Sequence, residues 1–281
     1  MTSVQTYQRP SSIEEAWSLL AEKGKSAKLV GGGVDVALFV PPGITTLIDL
    51  SLLPYRSIDL HDGNLVLGAG VTLTEILESP IVGDYLDGII VRMMRQVASP
   101  LLRNAATIAG SLASMHPWSD VITLFLALDA QVTQYTAGQL TTTSLEELMA
   151  QRGTIDRAII IEVILPAATA GTAASFEEFV RAAIDVSMLN CACRVVLDNG
   201  NCSDVRIVFG GMPAIAQRIT AIEEALTGKQ LEPAVIESVA ELAGEAIPAR
   251  DDVRASADYR RVLAGAGVRR CLHRMVKRAG E

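Results

Sequence analysis

Residues 107–120 read TIAGSLASMHPWSD, and this stretch decides the fold that we expect. A β-prone pair at its start precedes a bend of small residues at 109–111, and an apolar helix is expected from Val121 to Leu128. Ala109 and Gly110 carry almost no side chain, so a ligand could reach the main-chain N–H groups there. Successive N–H groups that point inward form a concavity that suits phosphate oxygens. The stretch therefore predicts a phosphate-binding bend between a strand and a helix.

A second glycine-rich bend lies upstream. Lys28, Leu29 and Val30 are expected to form a short strand, and Gly31–Gly33 follow it immediately. One glycine bend is weak evidence, because glycine mostly marks turns. Two bends could hold a diphosphate from two sides. Neither contains a cation, since Lys28 and Arg103 lie only at the margins, so peptide amides would have to compensate the phosphate charge.

Five segments resemble, in order, the flavin-binding subunit of the molybdenum hydroxylases, a family that includes xanthine, carbon monoxide and bacterial aldehyde dehydrogenases. The segments are GGGVDV at 31–36, LLRNAATIAGS at 101–111, HPWSD at 116–120, RIVFGGMPAIAQR at 206–218 and DYRR at 258–261. They extend over nearly the whole chain. The resemblance implies that the two bends wrap the diphosphate of FAD.

The resemblance also implies an α+β fold. We expect a two-lobed FAD-binding domain of the PCMH/vanillyl-alcohol-oxidase type, followed by a smaller C-terminal α+β domain with an antiparallel sheet and helices. The first domain is expected at 1–174, with a small α/β lobe at 1–56 and a larger lobe at 57–174, and the second at 175–281. The boundary is placed at the end of AATAGTAA, residues 167–174, which has no periodicity and no large side chain.

Short-range signals predict further elements. Asp62–Asn64 separates two short apolar runs and is typical of a hairpin turn. Thr72 with Glu75 forms the pattern of a capping box at the start of a helix. Asn199–Gly200 is the strongest hairpin signal in the chain. These signals are independent of the resemblance.

The residues that the resemblance places near FAD lie mostly in the two bends. They are Leu29, Val30, Gly31, Gly32, Gly33, Val34, Asp35, Val36, Thr107, Ile108, Ala109, Gly110, Ser111, Asp120, Ile160 and Arg181. Arg181 is expected to replace a lysine that some relatives carry where this chain has Val180. Asp120 has a second interpretation, as a carboxylate favoured near a helix N-terminus, and both stay open. No catalytic residue and no metal ligand are predicted in this chain.

The sequence departs from the family pattern at three positions. The usual second bend reads TIGGN, whereas here Ala109 replaces a glycine and Ser111 replaces the asparagine. A Cβ at Ala109 would penalise a positive φ angle, and serine has a shorter reach than an amide. Val34 stands where the family often has a hydroxyl or a histidine. We therefore expect FAD binding that is weaker than in the relatives.

Composition limits the function. The 281 residues are 49% hydrophobic, which allows a sizeable core, and the net charge of −8 argues against nucleic acid as the main partner. No run approaches the roughly 20 apolar residues that span a bilayer, and no secretory signal is evident, so we expect a cytoplasmic protein. The four cysteines fit no disulfide, zinc or iron–sulfur spacing and are expected to be small buried apolar residues. They are Cys191, Cys193, Cys202 and Cys271.

By resemblance, the chain is an oxidoreductase subunit at the end of an electron chain. A large partner subunit would hold molybdopterin, and a small one would hold two [2Fe–2S] clusters. FAD would pass the electrons to NAD, oxygen or a quinone, in a dimer of heterotrimers. Two alternatives remain: a self-contained FAD oxidoreductase, which would need its own substrate-facing base or covalent flavin tether, and a flavin-free scaffold subunit, which the changes at Ala109 and Ser111 would permit.

Overall fold

The computed structural model describes residues 4–151 and 158–279. The chain divides into two compact units, each built from separate segments. Unit 1 comprises Met1–Ile81, Ala98–Ser114 and Ala130–Pro166, and unit 2 comprises Val82–Val97, Met115–Asp129 and Ala167–Glu281. The units interleave in sequence, whereas the predicted domains are contiguous; the predicted domain limits stay predictions.

Unit 1 contains a small parallel sheet and a larger antiparallel one. The parallel sheet has the order β1-β3-β2, from β1 (Thr6–Gln8), β2 (Ala27–Val30) and β3 (Thr46–Asp49), with helices α1 (Ile13–Lys23) and α2 (Val34–Leu38). The antiparallel sheet has the order β4-β5-β8-β6-β7, from β4 (Ile58–His61), β5 (Asn64–Gly68), β6 (Gln131–Thr136), β7 (Gln139–Ser144) and β8 (Ile159–Leu165). Its helices are α3 (Leu73–Glu78), α6 (Pro100–Ala105), α7 (Ile108–Ala113) and α9 (Leu145–Ala150).

Unit 2 contains one antiparallel sheet covered by helices. The strand order is β12-β11-β10-β9, from β9 (Thr172–Phe179), β10 (Leu189–Asp198), β11 (Asn201–Gly210) and β12 (Gln217–Arg218). The helices are α5 (Ile89–Met94), α8 (Asp120–Ala127), α10 (Thr220–Leu226), α11 (Pro233–Ala246) and α12 (Ala257–Ala279), and α4 (Pro80–Asp84) begins in the last residues of a unit 1 segment. A buried core joins the sheet to α10, α11 and α12.

Local signals explain several element ends. The Thr72 hydroxyl accepts a hydrogen bond from the Glu75 N–H, and the Glu75 carboxylate accepts one from the Thr72 N–H, so the predicted capping box is present. The predicted hairpins form at Asp62–Asn64 and at Asn199–Gly200. Asn199 and Gly200 both have positive φ angles, of 49° and 83°, which this dipeptide tolerates better than most.

Two predictions of local structure are wrong. The bend expected at 109–111 is part of α7, and Thr107 is its N-cap rather than a strand residue. Ile108 and Leu112 lie one helical turn apart and are both fully buried, so packing of one helical face decides this conformation. The segment expected to be irregular, 167–174, already contains the first residues of β9, which begins at Thr172.

No helix among the described residues is long and apolar enough to cross a membrane.

Candidate functional site

The two glycine stretches lie against each other in unit 1. A methyl group built on the α-carbon of Gly32 would lie 1.5 Å from the carbonyl oxygen of Ala105. A methyl group on Gly31 would lie 2.6 Å from Oγ1 of Thr107. Both distances are shorter than non-bonded contacts, and because the neighbour of Gly32 is backbone, only glycine permits the approach at that position. The two stretches therefore lie side by side, with Gly31 against the Thr107 side chain and Gly32 against the backbone just before it.

The first stretch presents unused peptide amides. Gly33 has a φ of 74° and is the N-cap of α2, and its carbonyl accepts from the Ala37 N–H at 2.8 Å. Among the described residues, the N–H groups of Gly31, Gly32 and Gly33 donate no hydrogen bond. Gly31 and Gly32 are exposed on their open side. An anionic ligand can therefore accept hydrogen bonds from this loop without breaking any that the protein already makes.

In the second stretch, among the described residues, the Thr107 N–H likewise donates no hydrogen bond, but the amides that follow it are used. Ile108 N–H donates to Val71 O at 2.9 Å, and Ala109 N–H donates to Ala69 O at 3.2 Å. Gly110 N–H donates to Thr107 Oγ1 at 3.2 Å, and Ser111 N–H donates to Thr107 O at 2.9 Å. The amides of residues 108–111 are therefore used by α7 and its neighbours, and the role of this stretch in holding a diphosphate stays a prediction.

Ala109 carries no backbone penalty. It lies in α7 and is not among the described residues with a positive φ angle. The expectation that its Cβ opposes the local conformation is therefore wrong, because a helical residue accepts a Cβ freely. The Ser111 hydroxyl donates to Thr107 O at 2.9 Å, so it serves α7 itself.

The remaining predicted residues divide between the two units. Val30 is buried at the end of β2, next to Leu29, while Val34, Asp35 and Val36 form the start of α2. Ile160 is buried in β8, opposite Gln134 of β6. Asp120 and Arg181 belong to unit 2. Arg181 is largely exposed and pairs with Asp185, with 3.0 Å between Nε and Oδ2.

Asp120 is the first residue of α8 and connects that helix to the sheet of unit 2. Its Oδ1 accepts from Ser187 Oγ at 2.9 Å and from Asn190 Nδ2 at 2.6 Å. Asn190 is fully buried in β10, and its Oδ1 accepts from Thr123 Oγ1 at 2.8 Å. The carboxylate therefore has a structural role, whether or not it also contacts a ligand.

Burial changes the acidity of Asp120 and of a neighbouring carboxyl. Burial raises the pKa of Asp120 to about 6, although the hydrogen bonds from Asn190 and Ser187 act in the opposite direction. Glu178 lies on β9 directly opposite Asn190. Burial, followed by repulsion from Asp120 and Glu177, raises the pKa of Glu178 to about 7. Unit 2 thus holds two neighbouring carboxyl groups that titrate near neutral pH.

Asp120→Asn is expected to stabilise the protein at neutral pH. The folded-state pKa of about 6 lies above the ordinary value of 3.8, so the folded protein holds this proton more tightly than the unfolded chain does. Stability that depends on this proton is lost as the pH rises from about 4 through 6. The neutral amide avoids that loss. The free energy of unfolding of Asp120→Asn should therefore exceed that of wild type by about 1–3 kcal/mol at pH 7, with little difference at pH 4.

Urea unfolding at both pH values measures this difference. Asp84 is exposed, so Asp84→Asn is the control. Its free energy of unfolding should equal that of wild type at both pH values. An Asp120→Asn variant that is less stable than wild type at pH 7 would contradict the argument.

Sequence reasoning missed the partners of Asp120. Ser187 and Asn190 are 67 and 70 residues away from it, and neither lies in a recognisable motif. His116 and Trp118, two residues apart in HPWSD, also contact each other. Their rings stack, with centroids 4.9 Å apart and planes 8° apart, and the Arg254 guanidinium lies 4.9 Å from the Trp118 ring. The only signal was the spacing of two aromatic rings in HPWSD.

Comparisons with known proteins agree with this arrangement. A family model described as the FAD binding domain in molybdopterin dehydrogenase matches residues 2–168, and one described as the CO dehydrogenase flavoprotein C-terminal domain matches residues 174–275. The chain is 28% identical over 276 residues to the carbon monoxide dehydrogenase medium chain of Hydrogenophaga pseudoflava, which covers 95% of each. It is 30% identical to the 6-hydroxypseudooxynicotine dehydrogenase complex subunit alpha of Paenarthrobacter nicotinovorans, covering 95% of this chain and 93% of the relative.

A solved structure supports the fold. The carbon monoxide dehydrogenase of Hydrogenophaga pseudoflava, in a form that lacks the Mo-pyranopterin moiety, contains a chain that superposes with a TM-score of 0.90 at 27% identity, covering 99% of both chains. The expected α+β fold, with a FAD-binding domain followed by a domain that contains an antiparallel sheet, is confirmed.

Proposed function

This chain belongs to the FAD-binding flavoprotein subunits of the molybdenum hydroxylase family, and from that premise we propose that its glycine loop at 31–33 holds the FAD diphosphate. It is thus an oxidoreductase subunit. The proposed task of the chain is to take electrons from the [2Fe–2S] clusters of a partner subunit and to deliver them through FAD to an external acceptor. NAD, oxygen and a quinone are the candidate acceptors.

One observation carries the proposal for the diphosphate. The backbones of Gly31 and Gly32 pack directly on residues 105–107, and this contact leaves the amides of 31–33 without a partner in the described part of the chain. Amides held in a fixed position favour a phosphate anion without the cost of burying a cation. We propose that the first loop binds the diphosphate. Helix α7, with Thr107 at its N-cap, supports that loop from behind.

The other predicted residues of unit 1 keep their proposed places beside FAD. They are Leu29, Val30, Val34, Asp35, Val36, Ile108, Ala109, Gly110, Ser111 and Ile160. Asp120 and Arg181 belong to unit 2, and their role toward FAD stays a prediction from the resemblance. Weaker binding than in the relatives no longer follows from Ala109, since its Cβ causes no strain. The shorter reach of Ser111 and the loss of a polar side chain at Val34 are the remaining reasons to expect it.

Bound FAD would supply the electron transfer, and this chain would supply binding, orientation and electrostatics. No residue of this chain has to act as an acid, a base or a nucleophile on the organic substrate. The hydrogen bonds that Asp120 accepts from Ser187 and Asn190 hold the N-terminus of α8 in place.

Partner subunits are the second part of the proposal. The names of the relatives, "medium chain" and "complex subunit alpha", describe parts of larger assemblies. In this chain, Leu38, Phe39 and Leu101 are 83%, 65% and 82% exposed, and they flank the two glycine stretches in sequence. Exposed apolar side chains mark an interaction site where they form a contiguous patch, and the adjacent pair Leu38 and Phe39 is the part of the chain that we propose for one. We assign the role of partner to a small iron–sulfur subunit and a large molybdopterin subunit, in a dimer of heterotrimers; a cytoplasmic location also stays a prediction.

Flavin content tests the proposal. The full chain, purified with and without co-expressed small and large subunits, is expected to carry about one FAD per chain, measured by flavin absorbance and by chromatography of the released cofactor. A folded chain without flavin would favour the flavin-free scaffold. Turnover of an organic substrate by the chain alone would favour the self-contained oxidoreductase. Either result would overturn the proposal.

A further inference from the structure

Three of the four cysteines converge inside unit 2. Cys191 and Cys193 project from the same face of β10, and Cys271 comes from α12, which packs on that face. Their sulfur atoms all lie within 4.8 Å of one another, and those of Cys191 and Cys193 are 3.7 Å apart. All three residues are fully buried. The fold therefore joins two neighbouring residues to a third that lies 80 positions away.

The helix approaches the strand closely at this point. Gly267 lies one helical turn before Cys271, and a methyl group on its α-carbon would be 3.1 Å from Cβ of Cys191. A larger residue there would push α12 away from β10 and separate the sulfur atoms. Gly267 is thus one reason that Cys271 reaches the other two thiols.

We propose that Cys191, Cys193 and Cys271 bind one thiophilic divalent metal ion, zinc. Zinc in proteins is tetrahedral with Zn–S distances of about 2.3 Å, which places two sulfur ligands about 3.8 Å apart. The 3.7 Å between the sulfur atoms of Cys191 and Cys193 matches that separation. The remaining separations, each within 4.8 Å, need only small side-chain rotations to match it.

Ser175 is the candidate for a fourth ligand. Ser175 lies on β9 directly opposite Cys193 and is 2% exposed, so its side chain shares the buried face of the sheet with the two β10 thiols. We assign its hydroxyl oxygen to the fourth position of the tetrahedron that zinc occupies in structural sites. The proposed site therefore has three sulfur ligands and one oxygen ligand, supplied by two strands and one helix.

The charges around the cluster accommodate the ion. Zinc would replace three S–H protons with three Zn–S bonds and release those protons to solvent, so the site changes from neutral to a charge of −1. Glu177 lies opposite Cys191 and forms ion pairs with Arg270 and Arg274 of α12. These three side chains together carry a charge of +1, which offsets the charge of the loaded site.

Metal content tests this proposal, with a matched control in the same sheet. Cys202 of β11 is also a free, fully buried cysteine but is not part of the cluster. Full chains of wild type, Cys271→Ala and Cys202→Ala are purified under reducing conditions, loaded with zinc against a chelating dye, and analysed by elemental mass spectrometry. We expect about one zinc in wild type and in Cys202→Ala, and at least tenfold less in Cys271→Ala. Ser175→Ala should weaken retention.

Cobalt(II) gives an independent readout. Cobalt bound to the wild-type chain should show the intense sulfur-to-metal charge-transfer and tetrahedral ligand-field bands that three thiolates produce, and Cys271→Ala should lack them. Equal zinc in all variants, no zinc in loaded wild type, or fewer than four reactive thiols after unfolding would each overturn the proposal. If Cys271→Ala fails to fold, the cobalt spectrum of wild type still decides. Flavin content is measured separately, so this result is independent of the FAD site.

Discussion

Gly32→Ala is expected to abolish FAD retention. The new methyl group would lie 1.5 Å from the carbonyl oxygen of Ala105, which is backbone and cannot rotate away. The loop at 31–33 must then move off residues 105–107, and its amides lose the arrangement that we propose for the diphosphate. We expect FAD per purified chain to fall by more than about tenfold, the equivalent of 1.4 kcal/mol of binding free energy. The overpacked contact should also lower the free energy of unfolding by about 1–3 kcal/mol.

The control separates the loop contact from a general effect of alanine. Gly83 has no atom within 4 Å of the methyl position and no positive φ angle, so Gly83→Ala should retain FAD as wild type does. Flavin absorbance measures retention, and circular dichroism confirms that each variant is folded. A folded Gly32→Ala chain with a full complement of FAD would show that the loop does not bind the cofactor.

Arg260→Leu is expected to destabilise the protein by about 3–5 kcal/mol, the cost typical of breaking a buried ion pair. Arg260 is fully buried in α12 and donates four hydrogen bonds. The acceptors are Met188 O at 2.8 Å, Arg250 O at 2.5 Å, Ala255 O at 2.7 Å and Asp252 Oδ1 at 2.7 Å. Leucine fills part of the volume but leaves these oxygens without their donor, and each unsatisfied buried acceptor costs free energy.

The adjacent residue is the matched control. Arg261 pairs with Asp258 at 2.7 Å, but their side chains are 45% and 92% exposed. Exposed pairs contribute little, so Arg261→Leu should change the free energy of unfolding by less than about 1 kcal/mol. Urea unfolding of both variants provides the comparison. Similar effects at the two positions would mean that the network around Arg260 contributes no more than a surface pair.

The roles of these two arginines illustrate a limit of sequence reasoning. The motif DYRR was noticed only through its resemblance to a family, and nothing in it distinguishes Arg260 from Arg261. The difference arises because one side chain enters the interior and meets carbonyl groups from 5 to 72 residues away, while the other stays in solvent. Burial therefore decides how much each arginine contributes to the stability of the protein, and burial follows from the fold.

The sequence by itself determined the family, the FAD cofactor, the α+β class and the local elements whose partners are close in the chain. The Thr72–Glu75 capping box and the Asn199–Gly200 hairpin are of this kind, because their hydrogen bonds join residues a few positions apart. The same is true of the strand that leads into Gly31, whose apolar residues and following glycines form one short signal.

Only the tertiary structure decided the rest. Residues 108–113 form a helix, because burial of Ile108 and Leu112 on one face outweighs the turn preference of the small residues between them. Packing of the elements places Gly32 against Ala105, Asp120 against Asn190, and Cys271 against Cys191. The members of each pair are 70 to 80 residues apart in sequence. Contacts at such distances depend on how whole elements pack, and packing responds to volume and burial over the entire unit rather than to any local pattern.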